Sequence, residues 1–538
     1  MTIRTMTRVA ILAVPVLGFL SPEAAAWGTR AQRSVTMMAM QVIKGDFYDV
    51  FRRGEDNYER DVLRGSEDGH AVIRDDVPLN SDAETVEAVG SEIQLLREVL
   101  AFGPSSYFAY RMGVLAALVS DIMVPYGFAW SPEEERIQKM VLPDIDGHLD
   151  SYGFEPKQRS RIFIRDVQAH FKAQRSFYHD DKIIIATDYR SGAGYDGFLS
   201  QGGPAYFALA AEAVADAWYT VLRHQPDATH ASVSRRTLAW YFVEEIEYLL
   251  SVKRNIRQAD KTYGHFATIN PDLVEAYEKV GDLYYAFGSP EAIDRGVREW
   301  TIAHGMGGTD RRRIATKLCA HYLGQGRSYL ESASRPGAKE TDLSNALNAF
   351  ELALNFDRTN QDAADLIQET NVAIEQRHQR FEMTVSIIAT GEKVHEEAEK
   401  ARLQQDFGNA IKTYRQAIGF FEAVDDEFKE QETTAKENIR KLKKNVRDVI
   451  IEVIDKASDA VDQGERLREE NKYEEAINAY SAVPGIVAVI PDDENPTITA
   501  QKQEMIDLSS QKIEETKSAK IRYEQAVAEQ EEAAKRGR

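Results

Sequence analysis

Apolar residues recur at helical spacing along most of the chain. The clearest case is 204–222, where every third or fourth residue is apolar and one face of a helix is defined. Helix starts are marked by Ser131-Pro132-Glu133-Glu134, a capping box with proline at the first helical position, and by Ser289-Pro290-Glu291 and Asn270-Pro271-Asp272. These patterns predict an all-α fold.

Two segments interrupt the helical pattern. The run Lys182-Ile183-Ile184-Ile185-Ala186-Thr187 is rich in β-branched residues and predicts a strand. The glycine-containing stretches 191–194 and 200–203 predict a loop region around the start of the 204–222 helix.

A motif in the last part of the chain occurs three times. It consists of Ala, an aromatic residue four positions later, and Ala or Val three positions after that. The three copies are Ala346/Phe350/Ala353, Ala410/Tyr414/Ala417 and Ala476/Tyr480/Val483. The motif resembles the second helix of a tetratricopeptide repeat, in which a small residue beside an aromatic one lets two helices pack closely.

The spacing of the copies departs from that family. Ala346, Ala410 and Ala476 are 64 and 66 residues apart, whereas a tight array repeats every ~34 residues. Long helical stretches lie between the copies, at 361–406 and 425–471. We therefore expect an elongated helical-repeat or coiled-coil-like region over 336–538, with amphipathic helices of a bundle as the alternative.

The first 26 residues have the pattern of a secretory signal peptide. Arg4 and Arg8 give a positive start, Val9–Leu20 is apolar, and Ala24-Ala25-Ala26 forms a small-residue cleavage site. Cleavage there makes Trp27 the first residue of the mature protein and predicts a periplasmic or secreted location. The alternative is an uncleaved N-terminal anchor.

Composition narrows the classes of function. The 538 residues indicate more than one domain, and the net charge of −21 opposes long-range attraction to nucleic acid or anionic lipid. The single cysteine, Cys319, excludes an intramolecular disulfide. No other long uncharged apolar run follows the signal, so no transmembrane span is expected after cleavage.

All five tryptophans precede residue 301, and the rest of the chain is charged and poor in proline. We therefore predict a helical head at 27–222, a helical connecting domain at 223–335, and the long-helix region at 336–538.

Two segments of the head carry a family resemblance. The segment 27–36, Trp27-Gly28-Thr29-Arg30-Ala31-Gln32-Arg33-Ser34-Val35-Thr36, is similar to the mature start of zinc-dependent phospholipases C and single-strand-specific zinc nucleases. The segment 113–127 is similar to their internal helix, which carries His, then Asp four residues later, then Gln-Pro and a second His. Asp121 and Pro125 match that motif. The resemblance implies an all-α head with a site for three zinc ions.

Most of the implied metal ligands are replaced in this chain. Ala117, Val124 and Gly127 stand where the family motif has His, Gln and His, and Gln32 stands where it has a histidine after the N-terminal Trp. Alanine, valine and glycine side chains offer no lone pair, and glutamine is a poor zinc ligand beside imidazole. We expect the hydrolytic activity to be lost.

The resemblance leaves a vestigial metal site of four residues. They are Trp27, Asp121, and Asp68 and His70 from the loosely matching segment 65–70. Without metal, a buried Asp121 must find a polar partner, and the amine of Trp27 and Gln32 are the candidates. No resident cofactor is expected, although zinc at reduced occupancy would fit these residues.

We therefore predict an exported, non-catalytic interaction or scaffold protein, with a degenerate zinc-hydrolase head and a tail that binds a protein partner or a second copy of the chain. The alternative is a metal-dependent phosphodiesterase acting on phospholipid or nucleic acid through a rebuilt site, with His148 or Asp150 as an added ligand.

The acidic stretch 144–155 also has calcium-loop spacing, although Leu149 occupies the position that requires glycine. Its other reading is an acidic, solvated helix start or loop.

Overall fold

The computed structural model of the chain describes residues 27–47, 50–53, 56–73, 81–154, 160–176, 179–223, 233–269, 271–335, 338–339, 341–492 and 495–536. The predicted signal segment, 1–26, lies outside these residues, as does Asn270. The described residues form nineteen α-helices, and their only strands are two antiparallel pieces of two residues each. The all-α prediction is confirmed.

The chain divides into two compact units, Met1–Lys317 and Leu318–Arg538. The elements that begin in the first unit are α1 (Thr29–Lys44), β1 (Arg52–Arg53), β2 (Asp56–Asn57), α2 (Glu59–Ile73), α3 (Asp82–Val99), α4 (Ser106–Ile122), α5 (Pro132–His148), α6 (Val167–Ser176), α7 (His179–Ser191), α8 (Leu199–Leu222), α9 (Arg235–Ser251), α10 (Ile256–Ile269), α11 (Val274–Phe287), α12 (Pro290–Met306) and α13 (Arg311–Ala333). The three-part division at residues 222 and 335 stays a prediction.

The elements of the second unit after α13 are six helices, three of which exceed forty residues. They are α14 (Thr341–Phe356), α15 (Gln361–Leu403), α16 (Phe407–Glu422), α17 (Lys429–Glu469), α18 (Tyr473–Val487) and α19 (Pro496–Arg536). No helix in the described ranges is long and apolar enough to cross a membrane.

Two predicted helix starts have the expected caps. The Ser131 hydroxyl accepts a hydrogen bond from the backbone N–H of Glu134 at 3.2 Å, and Ser289 accepts from Ala292 at 3.3 Å. In both helices the proline occupies the first turn, where its missing N–H costs nothing.

The predicted strand at 182–187 is wrong, because this run lies inside α7. Ile185 is buried, but Ile183 and Ile184 are 62% and 43% exposed, as expected for a helix that turns only one of three successive side chains inward. β-Branched composition favours a strand only where a neighbouring strand can pair with it, and β1 and β2, which pair with each other, are the only strands in the described residues.

The predicted loop around residue 200 is correct only in its first part. Gly192 and Gly194 have positive φ angles of 88° and 53° and form the turn after α7. Residues 200–203, in contrast, belong to the start of α8. Gly203 is needed there because a Cβ atom would lie 2.4 Å from the hydroxyl oxygen of Tyr152.

The core of the first unit is built around α4, which is buried along its whole length. Trp218 of α8 donates its indole N–H to the carbonyl oxygen of Met112 at 2.8 Å. On another side α2 approaches α4 closely enough that a Cβ on Gly113 would lie 1.9 Å from the carbonyl oxygen of Val62. Gly113 therefore allows the backbones of α2 and α4 to approach closely.

The repeated motif of the second unit forms the buried faces of α14, α16 and α18. Phe350, Tyr414 and Tyr480 have no exposed surface. Tyr480 packs on Gly464 of α17, where a Cβ atom would lie 2.5 Å from its ring, and Phe350 packs on Gly326 in the same way. In these two copies of the motif, the aromatic residue packs on a glycine of the preceding helix, whereas in the middle copy Gly391 of α15 packs against Phe421.

The turns before α16 and α18 have the same geometry. Gln405 and Asn471 each adopt a φ of 62° at corresponding positions. The backbone N–H of Asp406 bonds to the carbonyl of Ala401 at 2.9 Å, and that of Lys472 bonds to Leu467 at 2.8 Å. The α15–α16 hairpin and the α17–α18 hairpin therefore have turns of the same geometry, 66 residues apart in the sequence. The internal repeat is thus present in the structure of these two hairpins as well as in the sequence.

Candidate functional site

The vestigial site begins at Trp27, directly before α1. Trp27 is completely buried, and its indole N–H donates to the carbonyl oxygen of Ser120 at 3.1 Å. Its ring also meets Phe207 of α8 edge-on, with 6.3 Å between ring centroids. The residue that the resemblance singles out is therefore fixed against α4, next to Asp121.

Gln32 and Ser120 form a buried polar pair beside Trp27. The Ser120 hydroxyl lies 2.9 Å from the side-chain oxygen of Gln32 and donates to it, with the carbonyl of Ala117 also at 2.9 Å. Gln32 and Ser120 are 3% and 0% exposed. Within the described ranges, the Gln32 amide nitrogen has no hydrogen-bond partner. The side-chain oxygen of Gln32 therefore already accepts one hydrogen bond, from Ser120.

Asp121 lies at the end of α4 and is 1% exposed. The turn that follows it is tight: Tyr126 has a φ of 63°, and the N–H of Gly127 bonds to the carbonyl of Val124 at 3.1 Å. A Cβ atom at position 127 would lie 1.8 Å from the carbonyl oxygen of Asp121. The backbone thus excludes any side chain at the position where the family motif has its second histidine.

Ala117, at the position of the first motif histidine, faces α2. A Cβ atom on Gly69 would lie 2.3 Å from the Cβ of Ala117. Nearby, a Cβ on Gly65 would lie 1.8 Å from the carbonyl oxygen of Tyr110. The two helices are in backbone contact here, so the gap between Gly69 and Ala117 has no room for an imidazole.

Asp68 is engaged by Tyr110 and Arg64. Its carboxylate accepts from the Tyr110 hydroxyl at 2.9 Å and lies 3.7 Å from Arg64 on the next turn of α2. Burial and the Asp68 charge both raise the pKa of Tyr110 well above its ordinary value. His70 lies on α2, but its side chain is outside the described residues.

The described residues contain no cluster of three or more His, Cys, Asp or Glu side chains that could hold a metal ion. The structure places Trp27 and Gln32 beside the end of α4. Among the described side chains, which do not include that of His70, it does not join Asp68 and Asp121 into a ligand set with a third acidic, histidine or cysteine side chain.

Asp146 is a residue that sequence reasoning missed. Its carboxylate accepts from the backbone N–H of Ala31 at 2.9 Å and so caps the start of α1 from α5. Gly28 allows this approach, because a Cβ there would lie 1.9 Å from the same carboxylate. Arg30 reinforces the contact through the Asp146 carbonyl at 3.2 Å and the Asp150 carboxylate at 3.1 Å. Asp150 is thus an ion-pair partner.

The calcium-loop alternative is wrong, because 144–151 continues α5 into a 3-10 turn and forms no loop. Tyr189 donates to the Asp144 carboxylate at 2.7 Å. His148 stacks on Tyr195 with 3.7 Å between ring centroids, and its Nδ1 lies 2.8 Å from the Asp144 carbonyl oxygen. The acidic residues of this stretch hold α1, α5 and α7 in place.

A second buried polar cluster joins α3, α4 and α9. Arg111 is 4% exposed and makes two hydrogen bonds to Glu92, at 2.8 and 2.6 Å. Glu244 accepts from Arg111 at 3.0 Å and from the Tyr107 hydroxyl at 2.7 Å. Burial opposes the charge of Arg111, but Glu92 raises its pKa well above the ordinary value. No sequence spacing links Glu92 to Glu244, so only the fold reveals this cluster.

Comparison of the chain with protein-family models, with curated proteins and with solved structures found no match. The resemblance to the zinc hydrolases therefore rests on the sequence segments 27–36 and 113–127 and on the looser match at 65–70.

Proposed function

We propose that this chain is an exported, non-catalytic scaffold protein whose head keeps the framework of a zinc hydrolase without its reaction centre. The observation that supports the proposal most strongly is steric: at two positions where the zinc-hydrolase motif has a histidine, this chain has no room for one. Gly127 tolerates no side chain against Asp121, and Ala117 packs against Gly69. A histidine at either position requires α2, α4 or the following turn to move.

The contacts around Trp27 support the same proposal. A buried polar residue is tolerated when its hydrogen bonds are made within the protein. Ser120 accepts from the Trp27 indole and donates to the Gln32 side-chain oxygen, so these two polar atoms are satisfied within the protein. These residues have become structural ties between α1 and α4, the role expected where a former ligand shell is kept for stability.

The tail supports the interaction half of the proposal. Its long helices α15 and α17 each pair with the shorter helix that follows them, α16 and α18, and stacked helix pairs present surfaces to partner proteins in helical-repeat proteins. In this proposal the head is a folded packing unit, while the tail binds a protein partner or another copy of the chain.

The proposal is tested by assaying phosphodiesterase activity of the mature protein on a chromogenic phosphodiester, with and without a chelator. We expect no chelator-sensitive turnover, and no change on Asp121→Asn. Turnover that is abolished both by the chelator and by Asp121→Asn, in a variant with an unchanged melting temperature, would establish the rebuilt phosphodiesterase site instead.

A further inference from the structure

One stretch of α17 has the opposite charge to the rest of the protein. Between residues 436 and 447 it carries six cations and a single acidic residue, in a chain with a net charge of −21. The six cations are Lys436, Arg440, Lys441, Lys443, Lys444 and Arg447. Because charges beyond about 8 Å are largely screened at physiological salt, a bound group would experience this local charge and not the net charge.

A cavity of about 390 Å³ opens beside this stretch. Lys443 and Arg447, one helical turn apart, line it from α17, and Arg415 lines it from α16. The volume lies within the range of small-molecule sites, ~300–1,000 Å³. Cationic groups from two different helices therefore converge on one concave space.

The rest of the cavity wall is largely apolar. Ile418 of α16, Val446 of α17 and Ile498 of α19 complete most of the lining, together with Asn495. Val446 is only 6% exposed and belongs to the core that the three helices share. The apolar side of the cavity is thus fixed by packing.

Lys443 has an acidic neighbour that engages it only weakly. Glu422 of α16 lies 3.8 Å from the Lys443 ammonium, beyond hydrogen-bond distance, and both side chains are more than half exposed. Such exposed pairs contribute ~0–1 kcal/mol. An incoming anion can therefore take over Lys443 at little cost.

We propose that this cavity binds a small amphipathic organic anion, with its carboxylate, sulfonate or phosphate on Lys443 and Arg447 and its apolar part against Ile418, Val446 and Ile498. Arginine and lysine one turn apart suit a multi-oxygen anion, and the apolar wall selects against fully hydrated inorganic ions. This site is independent of the proposed scaffold function and of the head.

The test uses 8-anilinonaphthalene-1-sulfonate, an aromatic sulfonate whose fluorescence rises in apolar sites, and its uncharged counterpart N-phenyl-1-naphthylamine. Titrated into the full chain, the sulfonate is expected to bind one saturable site. The uncharged compound is expected to bind at least about tenfold more weakly.

Two double variants separate the site from general electrostatics. Lys443→Gln with Arg447→Gln removes the two lining cations and is expected to raise the Kd about tenfold. Lys441→Gln with Lys444→Gln removes the same charge from the same helix outside the lining, and is expected to change the Kd by less than about twofold. Both variants are checked for an unchanged melting temperature.

Equal weakening by the two double variants, equal binding of the uncharged compound, or the lack of a saturable site would each overturn the proposal. If the charge variants unfold, sulfonate binding by the Ile498→Trp variant decides the question. It fills the cavity while keeping every cation, and it is expected to abolish sulfonate binding. Retained binding in this variant would contradict the cavity assignment.

Discussion

Gly127 and Ala117 stand at the two positions where the zinc-hydrolase motif has histidines, and the structure leaves no room for a histidine at either. Position 127 has no room for a side chain because Gly127 lies against the carbonyl oxygen of Asp121. Position 117 has no room for a side chain larger than alanine because Ala117 lies against Gly69. The sequence identified both residues as replaced ligands. It could not show that the space for a ligand had closed, because a backbone separation depends on how two helices cross.

The steric closure at position 127 predicts a stability effect. Gly127→Ala places a Cβ atom 1.8 Å from a carbonyl oxygen, so we expect the free energy of unfolding to fall by about 1–3 kcal/mol. The matched control is Gly264→Ala in α10, where the added Cβ meets nothing within 4 Å. That change should stabilise the chain by about 0.5–1 kcal/mol, as Ala is the better helix former. Urea denaturation of the two variants distinguishes them, and equal effects would contradict the close contact.

A buried acid predicts a pH dependence of stability. Burial raises the pKa of Glu245 to about 7 from 4.5, although hydrogen bonds from Ser105 and Thr262 and the charge of Lys261 oppose the rise. Between these two values the folded protein binds more protons than the unfolded chain does. Stability from this group is therefore full below pH 4.5, falls as the pH rises, and is lost above pH 7.

Glu245→Gln removes this loss because glutamine imitates the protonated acid. Relative to the unmodified chain, the variant should gain stability as the pH rises from 5 to 8, by at most about 3 kcal/mol. The control, Glu247→Gln, removes an exposed charge from the same helix, one that pairs with Lys279. Thermal unfolding at several pH values measures both, and parallel curves for all three proteins would rule out Glu245 as the titrating group.

At the scale of elements, local signals predicted local structure well. The capping serines at 131 and 289 were correct because a cap depends on residues within one turn. The strand at 182–187 was wrong because strand formation needs a pairing partner, which β-branched composition does not reveal. The Asp146 cap and the Glu92–Arg111–Glu244 cluster connect residues far apart in sequence, so no local pattern could have indicated them.

The shared turn of the two hairpins yields a prediction about element boundaries. Gln405 and Asn471 both adopt a left-handed φ of 62°, which is strained for glutamine but tolerated by asparagine. Gln405→Gly should therefore stabilise the full chain by about 0.5–1 kcal/mol, and Asn471→Gly by less.

The control for the turn is the neighbouring Gln404, which has a right-handed helical φ of −78°. Gln404→Gly should destabilise the chain, since glycine gains nothing there and loses helix propensity. Thermal unfolding of the three variants measures the order of their stabilities. Stabilisation by Gln404→Gly, or none by Gln405→Gly, would show that the turn conformation is not the limiting strain.

At the scale of the whole molecule, composition predicted a tryptophan-containing first part and a charged, proline-poor last part. The chain divides into two compact units, and the boundary in the sequence falls between Lys317 and Leu318. The first unit contains every tryptophan and the vestigial site, while the second contains the repeated hairpins and the basic cavity of α17. Two closed histidine positions in the head and the repeated helix pairs of the tail are the observations on which the proposed scaffold function rests.

That account is tested most directly by the zinc content of the mature protein, measured by elemental mass spectrometry after incubation with zinc and dialysis. The N-terminus is sequenced in the same sample, so that a free Trp27 amine is assured. We expect zinc well below one ion per chain. Stoichiometric zinc retained by a chain that begins at Trp27 would contradict the loss of the metal centre.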